Sequence, residues 1–175
     1  MKKIAAVIVS VFLLLSFIMI QPAKAKVQQP TRERVFEILH AGFQAQVKLG
    51  EKHVTKQQAV SILSPYFDSS YIQRFLDENL VKEAQGYITY GSDYALYYIP
   101  YFSYDDLTNV MYDPKHQKIY VYEHFPAVTD GPVTYGDHYE LMVLRKQHSS
   151  WKIEQYVYSE EVPKEVTSSK NLQSL

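Results

Sequence analysis

The chain has 175 residues, no cysteine, 18 basic and 19 acidic side chains, and a net charge of −1. With no basic excess it is not read as a nucleic-acid binder, and without cysteine there is no disulfide framework, thiol chemistry or lipid attachment through an N-terminal thiol. Its 16 tyrosines are the compositional outlier, and their ordinary use is as half-buried residues of a sheet.

Lys2-Lys3, the apolar run from Ile4 to Ile20 and Ala23-Lys24-Ala25 read as a signal peptide over residues 1–25. That implies a secreted, extracytoplasmic protein. The alternative is an uncleaved N-terminal membrane anchor, because the run is near the short limit for crossing a bilayer. Cleavage would remove Lys2, Lys3 and Lys24 and make the remainder, one domain in length, more acidic. Residues 26–30 form a linker ending at Pro30.

Thr31 is placed to cap a helix whose apolar residues are Val35, Ile38, Leu39, Phe43 and Val47, with Gly50 as its stop. Gly42 lies on the same stripe, where a missing side chain lets another backbone come close. Thr55-Lys56-Gln57-Gln58 has the capping-box pattern and opens a shorter helix that ends at Pro65. Ser70-Tyr71-Ile72-Gln73 repeats the pattern and predicts a third helix to about Leu80. Tyr87 to Tyr90 then reads as a strand, Gly91-Ser92-Asp93 as a turn and Tyr94 to Ile99 as an extended run. Leu107 to Tyr112 is a candidate strand, and Asp113-Pro114-Lys115-His116 is a turn.

Lys118 to Ser159 predicts two consecutive β-hairpins. Side chains from Lys118 to Phe125 alternate with the period of a strand, and Asp130-Gly131 suits a type I′ turn. Pairing outward from that turn mixes apolar and polar faces unless one residue is extra, so a bulge is expected at Gly136. Ile119 then lies opposite Val143, Val121 opposite Leu141 and Tyr120 opposite Met142. After the turn at Gln147 to Ser150, Arg145 is set against Trp151. One face would carry Ile119, Val121, Phe125, Tyr139, Leu141, Val143, Trp151, Ile153 and Val157 as the core. The other would carry Tyr120, Tyr122, His124, His138, Glu140, Met142, Leu144, Glu154, Tyr156 and Tyr158. Residues 160–175 read as a polar, frayed tail, leaving residues 31–159 as a single α+β domain of N-terminal helices packed on an antiparallel sheet.

Helices first, then long antiparallel strands closing on Ser150-Trp151-Lys152-Ile153, is similar to the nuclear transport factor two-like superfamily. The similarity covers roughly Thr31 to Ser159. It implies a curved, cone-like sheet, and the chain also resembles small uncharacterised exported proteins of Gram-positive bacteria. The superfamily includes isomerases, dehydratases, ligand binders and dimerisation modules, so the similarity implies a fold and no single activity.

Candidate chemistry is sparse. No nucleophile motif and no glycine-rich phosphate loop is present, and no cofactor is implied. Glu123 falls on the core face between Val121 and Phe125. It is either a carboxylate held in an apolar pocket for acid–base work or a solvated residue at the strand end. His124 and His138 would face each other with Glu140 beside them, a set able to ligate a divalent metal or simply half exposed. Tyr94, Tyr97, Tyr98, Tyr101 and Tyr104 could line an aromatic groove for a small molecule, a peptide or cell-wall sugars, or pack over the helices. The second sheet face, with Tyr120, Tyr122, Met142, Leu144, Tyr156 and Tyr158, is the expected binding or homodimer surface. On that reading, Asp at Met142 and Tyr156 leaves a folded monomer. The resulting functional expectation is an exported, non-catalytic binding or dimerisation domain. The alternatives are a small pocket enzyme of the isomerase or dehydratase kind and a carbohydrate-binding module.

Overall fold

The computed structural model describes residues 29–91, 95–130, 134–169 and 171–175. The segment read as a signal peptide (residues 1–25), Ser92 to Tyr94 of the expected turn and extended run, and Gly131 of the expected hairpin turn lie outside them. Thr31 caps helix α1 (Arg32–Val47) by accepting from the Arg34 amide at 3.3 Å, and a 3-10 turn carries the chain on to Gly50. Thr55 and Gln58 form the reciprocal capping box of α2 (Lys56–Leu63), at 2.8 and 3.1 Å. The third helix, α3 (Ser69–Asn79), is capped two residues earlier than the sequence pattern suggests. Asp68, not Ser70, accepts from the Tyr71 amide at 2.7 Å. A carboxylate suits that end of the helix dipole.

Leu80 does not extend α3 but opens strand β1 (Leu80–Glu83), which pairs with β2 (Gly86–Thr89) as a separate hairpin. Gly86 takes φ of 141°, and a Cβ there would lie 3.0 Å from the Val54 carbonyl, so no other residue fits easily. The stretch from Ala95 to Thr108 has no strand. The main sheet begins with β3 (Asn109–Asp113) and continues through β4 (Lys118–Phe125), β5 (His138–Gln147) and β6 (Ser150–Ser159). After a four-residue helix, α4 (Lys164–Thr167), the chain ends in β7 (Gln173–Ser174). The strand order is β6-β5-β4-β3-β7, antiparallel and open. Thr31–Leu175 is one compact unit, and no helix among the described residues is long and apolar enough to cross a membrane.

The register differs from the expected one. Ile119 pairs with Leu144, Tyr120 with Val143, Val121 with Met142 and Tyr122 with Leu141. The Val128–Tyr135 bridge continues the same register, so no residue is extra at Gly136. The bulge lies instead on β6, where Val143 pairs with Gln155 but Leu144 with Ile153, leaving Glu154 unpaired. Arg145 faces Lys152, not Trp151. A one-residue slip reverses every side chain of a strand, and β5 is reversed in this way.

Met142 and Leu144 are therefore fully buried on the helix-facing side with Ile119, Val121, Trp151 and Ile153, under Val35, Leu39, Phe67, Tyr71 and Phe75. Beyond the bulge, Tyr156 joins that side. Leu141, Val143 and Val157 turn to the far side with Tyr120 and Tyr122. The six residues expected to form one interface are thus divided between two faces. The residues after Ser159 are not a frayed tail either, because Val166 and Leu172 pack on the far side. Gly42 does admit a close approach, though by side chains: an added Cβ would meet Ile99 Cδ1 at 2.9 Å, and Phe67 Cζ and Ile153 Cδ1 at 3.2 Å.

With Met142 wholly buried among apolar side chains, Met142→Asp does not yield a folded monomer. It should cost more than about 4 kcal/mol, because an unpaired charge enters the core. Urea unfolding followed by far-UV circular dichroism checks this, and a native-like midpoint would show that the side chain can reach water.

Candidate functional site

The backbone between Leu96 and Thr108 runs past the sheet without ladder partners, so buried side chains satisfy its polar groups. Gln46, 0 % exposed, donates from Nε2 to the Tyr97 carbonyl at 2.7 Å and accepts the Ile99 amide at 3.0 Å. The Tyr71 hydroxyl donates to the same Tyr97 carbonyl at 2.7 Å, and Asn79 Nδ2 to the Leu96 carbonyl at 2.8 Å. Further along, Glu123 takes over. Its Oε2 accepts from the Ser103 amide at 2.9 Å and the Thr108 hydroxyl at 2.6 Å, with the Ser103 hydroxyl at 3.0 Å.

Glu123 does point to the core face and is 6 % exposed, so it is not solvated at a strand end. Its carboxylate is committed to holding the 103–108 turn and is not free to act as a base. Its charge is felt by Tyr104, whose phenol is pushed up to about 12, first by burial and then by Glu123.

Two of the tyrosines in this stretch, Tyr97 and Tyr104, adopt φ of 65° and 57°. Bulky side chains avoid this left-handed region, and it persists only where surrounding contacts over-determine it. Tyr97 packs edge-on against Tyr71 and Tyr156, while Tyr104 stacks on His40 at 3.9 Å. Tyr98 packs on Phe75 and reaches the Thr89 hydroxyl at 3.2 Å, and Tyr101 is 79 % exposed beside Phe43. These rings therefore pack separately onto the helices and do not line one groove.

The corrected register assembles a different group. His138 and Glu140 are two residues apart on β5, both on the helix-facing side, with Phe125 opposite His138 and Tyr158 opposite Glu140. The His138 ring, 4 % exposed, lies between Phe125 (5.4 Å, 13°) and Tyr158 (4.6 Å, 20°) as the centre of a three-ring stack. Its Nδ1 is 2.8 Å from the Gly136 carbonyl and its Nε2 is 3.3 Å from Glu140 Oε1. A carbonyl can only accept, so Nδ1 carries a proton and donates. The contact at Nε2 then requires one further proton, on either the imidazole or the carboxyl. Burial raises the Glu140 carboxyl above its ordinary value against the opposing pull of His138, so folding strengthens its hold on a proton. Tyr156 lies beside the carboxyl, and its phenol is raised, first by burial and then by the Glu140 charge.

The metal-ligand arrangement considered from sequence does not form. His124 pairs with Tyr139 and turns to the far side, where its Nε2 contacts Asp137 at 2.8 Å. Among the described residues no three His, Asp or Glu side chains converge to hold a metal. The sequence signal that could have found the corner was the i, i+2 spacing of His138 and Glu140 with Tyr156 and Tyr158 on the next strand. It was visible, but the reversed strand assigned it to the wrong face together with Met142 and Leu144.

A glutamine can supply the same donor and acceptor as a protonated glutamic acid without ionising. Because folding raises the Glu140 pKa above 4.5, the native state holds the proton more tightly than the unfolded chain. This group's contribution to stability is therefore greatest at low pH and declines as pH rises through the raised value. Glu140→Gln should remove that decline, so the variant gains on the parent as pH rises from 4.5 toward neutrality. Paired urea titrations at acid and neutral pH test this, and identical pH slopes for the two proteins would refute it.

Residues 31–125, from α1 to the end of β4, match a family described as protein of unknown function (DUF3993), whereas the His138–Glu140 corner lies beyond the matched region. No curated protein matches the chain. The match spans more than half of the sequence, and the chain belongs to the DUF3993 family.

Proposed function

We propose that the chain is an exported, non-catalytic binding domain that holds a small polar ligand at the corner formed by Phe125, His138, Glu140, Tyr156 and Tyr158. Export rests on the pattern of Lys2 to Ala25, and the α+β architecture is compatible with the nuclear transport factor two-like resemblance. The observation that carries the binding reading is the Tyr158 ring. One face stacks on His138 and the residue is 52 % exposed, so a flat apolar surface stands beside a carboxyl and an imidazole at the edge of solvent. Such a surface suits the C–H face of a sugar ring, whose hydroxyls would reach Glu140. The cell-wall or carbohydrate ligand considered from sequence thus moves from the Tyr94–Tyr104 stretch to this corner.

A second reading has its own support. The proton required between His138 and Glu140 gives a group that could donate and accept protons, as a small isomerase-like enzyme would need. In that case Glu140→Gln would abolish turnover while leaving ligand affinity nearly intact. In the binding reading it changes only affinity.

Tyr158 is an outer ring of the His138 stack, so Tyr158→Ala should cost about 1–2 kcal/mol and leave the protein folded. Loss of one stacking ring should weaken binding of soluble cell-wall oligosaccharides at least tenfold. Titration of isotope-labelled protein with N-acetylglucosamine oligomers and muropeptides, following resonances of β5 and β6, measures this. Shifts that avoid the corner, or equal affinity for the Ala variant, would overturn the reading.

A further inference from the structure

The residues after β6 close the far side of the sheet. From Ser159 the chain travels from the β6 edge past β5, β4 and β3 to pair outside β3, about 19 Å at the usual strand spacing. On the way Val166 and Leu172 pack against the far-side cluster of Tyr120, Leu141 and Val143, with Met111, Tyr122 and Val157 around it. The strap then adds a strand. Gln173 pairs with Tyr112 and Ser174 with Met111, and the Leu175 amide donates to the Val110 carbonyl at 3.0 Å. Beneath the strap, Leu141 and Val143 are fully buried and Tyr120 is 7 % exposed.

This cover is short, although Leu175 also packs against the helix-side core cluster. Its helix has four residues and its strand two. Its polar ties to the sheet include Ser169 Oγ to Asp113 Oδ2 at 3.0 Å and Gln155 Nε2 to Glu165 Oε1 at 3.5 Å. The other Glu165 oxygen is buried with no partner among the described residues, and a buried acceptor without a donor opposes the closed state. The joint to β6 is exposed at Glu160, Glu161 and Val162.

We propose that the far face and the edge of β3 that β7 occupies form a docking site for a strap segment, with residues 160–175 of a second copy of this chain as its occupant when the chain's own strap lifts. A second copy's segment reproduces every contact the strap makes, so exchange costs no interactions, and an exposed joint permits it. The site is complete only with those residues, whichever copy supplies them.

The test uses the full chain and a fluorescent synthetic peptide of residues 160–175. Saturable binding is expected, at least tenfold tighter to a chain carrying Leu172→Asp, whose own strap is loosened while the face beneath is unchanged. A peptide with the same substitution should not bind. At high concentration the parent chain should form dimers that excess peptide dissociates. Hydrogen exchange of the unaltered chain provides a check that needs no folded variant. The Leu175 amide should exchange at least 100-fold faster than the amides of β4 and β5. Equal protection would overturn the proposal, because the strap would then open only on global unfolding. So would an absence of peptide binding to chains that remain folded, or a parent chain that is monomeric at every concentration.

Discussion

A stretch of backbone with no ladder to join is the constraint around which this molecule is arranged. Between Leu96 and Thr108 the chain passes the core, and its carbonyls and amides would be costly to bury unpaired. Four side chains from three elements meet that need: Gln46 from α1, Tyr71 and Asn79 from α3, and Glu123 from β4. Gln46, Asn79 and Glu123 are polar residues that composition alone would place at the surface. Together they fix two tyrosines in a backbone conformation that bulky residues avoid, and one of those, Tyr97, packs on Tyr156 beside the acidic corner.

Glu123 and Glu140 show how two carboxyls on adjacent strands take different roles. They are directly opposite in the β4–β5 register. Glu123 meets amide and hydroxyl donors and serves as an anchor. Glu140 is half buried among rings with one imidazole beside it, and its ionised form is disfavoured. The difference follows from donors within reach, and not from residue type. That is why the residue flagged from sequence as an acid–base candidate turns out to be structural, while its cross-strand neighbour is left available.

Two of the three helix starts and the hairpin sequence were legible because they rest on local chemistry. Thr31, the Thr55–Gln58 box and the alternation of Lys118 to Phe125 each require only a few neighbouring residues. Register was not legible, and Leu141-Met142-Val143-Leu144 explains why. All four are fully buried, helices covering one side and the strap the other, so this run carries no polar alternation to choose a face. The choice then fell to the Asp130-Gly131 turn signal, two residues from the observed pairing, and the bulge expected at Gly136 left it one residue out, which reverses the strand. The bulge at Glu154 was hidden for a related reason, since it is fixed by tertiary partners: Lys118 at 2.6 Å and Arg145 at 2.5 Å. The candidate site depended on register and was lost with it, although each of its residues had been noticed.

The connection between α2 and α3 touches β6 at the level of the bulge. The Ile153 amide donates to the Tyr66 carbonyl and the Asp68 amide to the Ile153 carbonyl, both at 2.9 Å, while Lys152 Nζ reaches the Ser64 and Pro65 carbonyls. This bridge gives the β6 border a short internal partner, as β7 does for β3. Unpaired strand borders are the sites where sheets of different molecules join into aggregates. A tyrosine-rich chain without disulfides has few other safeguards at high local concentration. Resistance to clumping thus falls to two small tethers, a helix connection on one flank and three residues, Gln173 to Leu175, on the other.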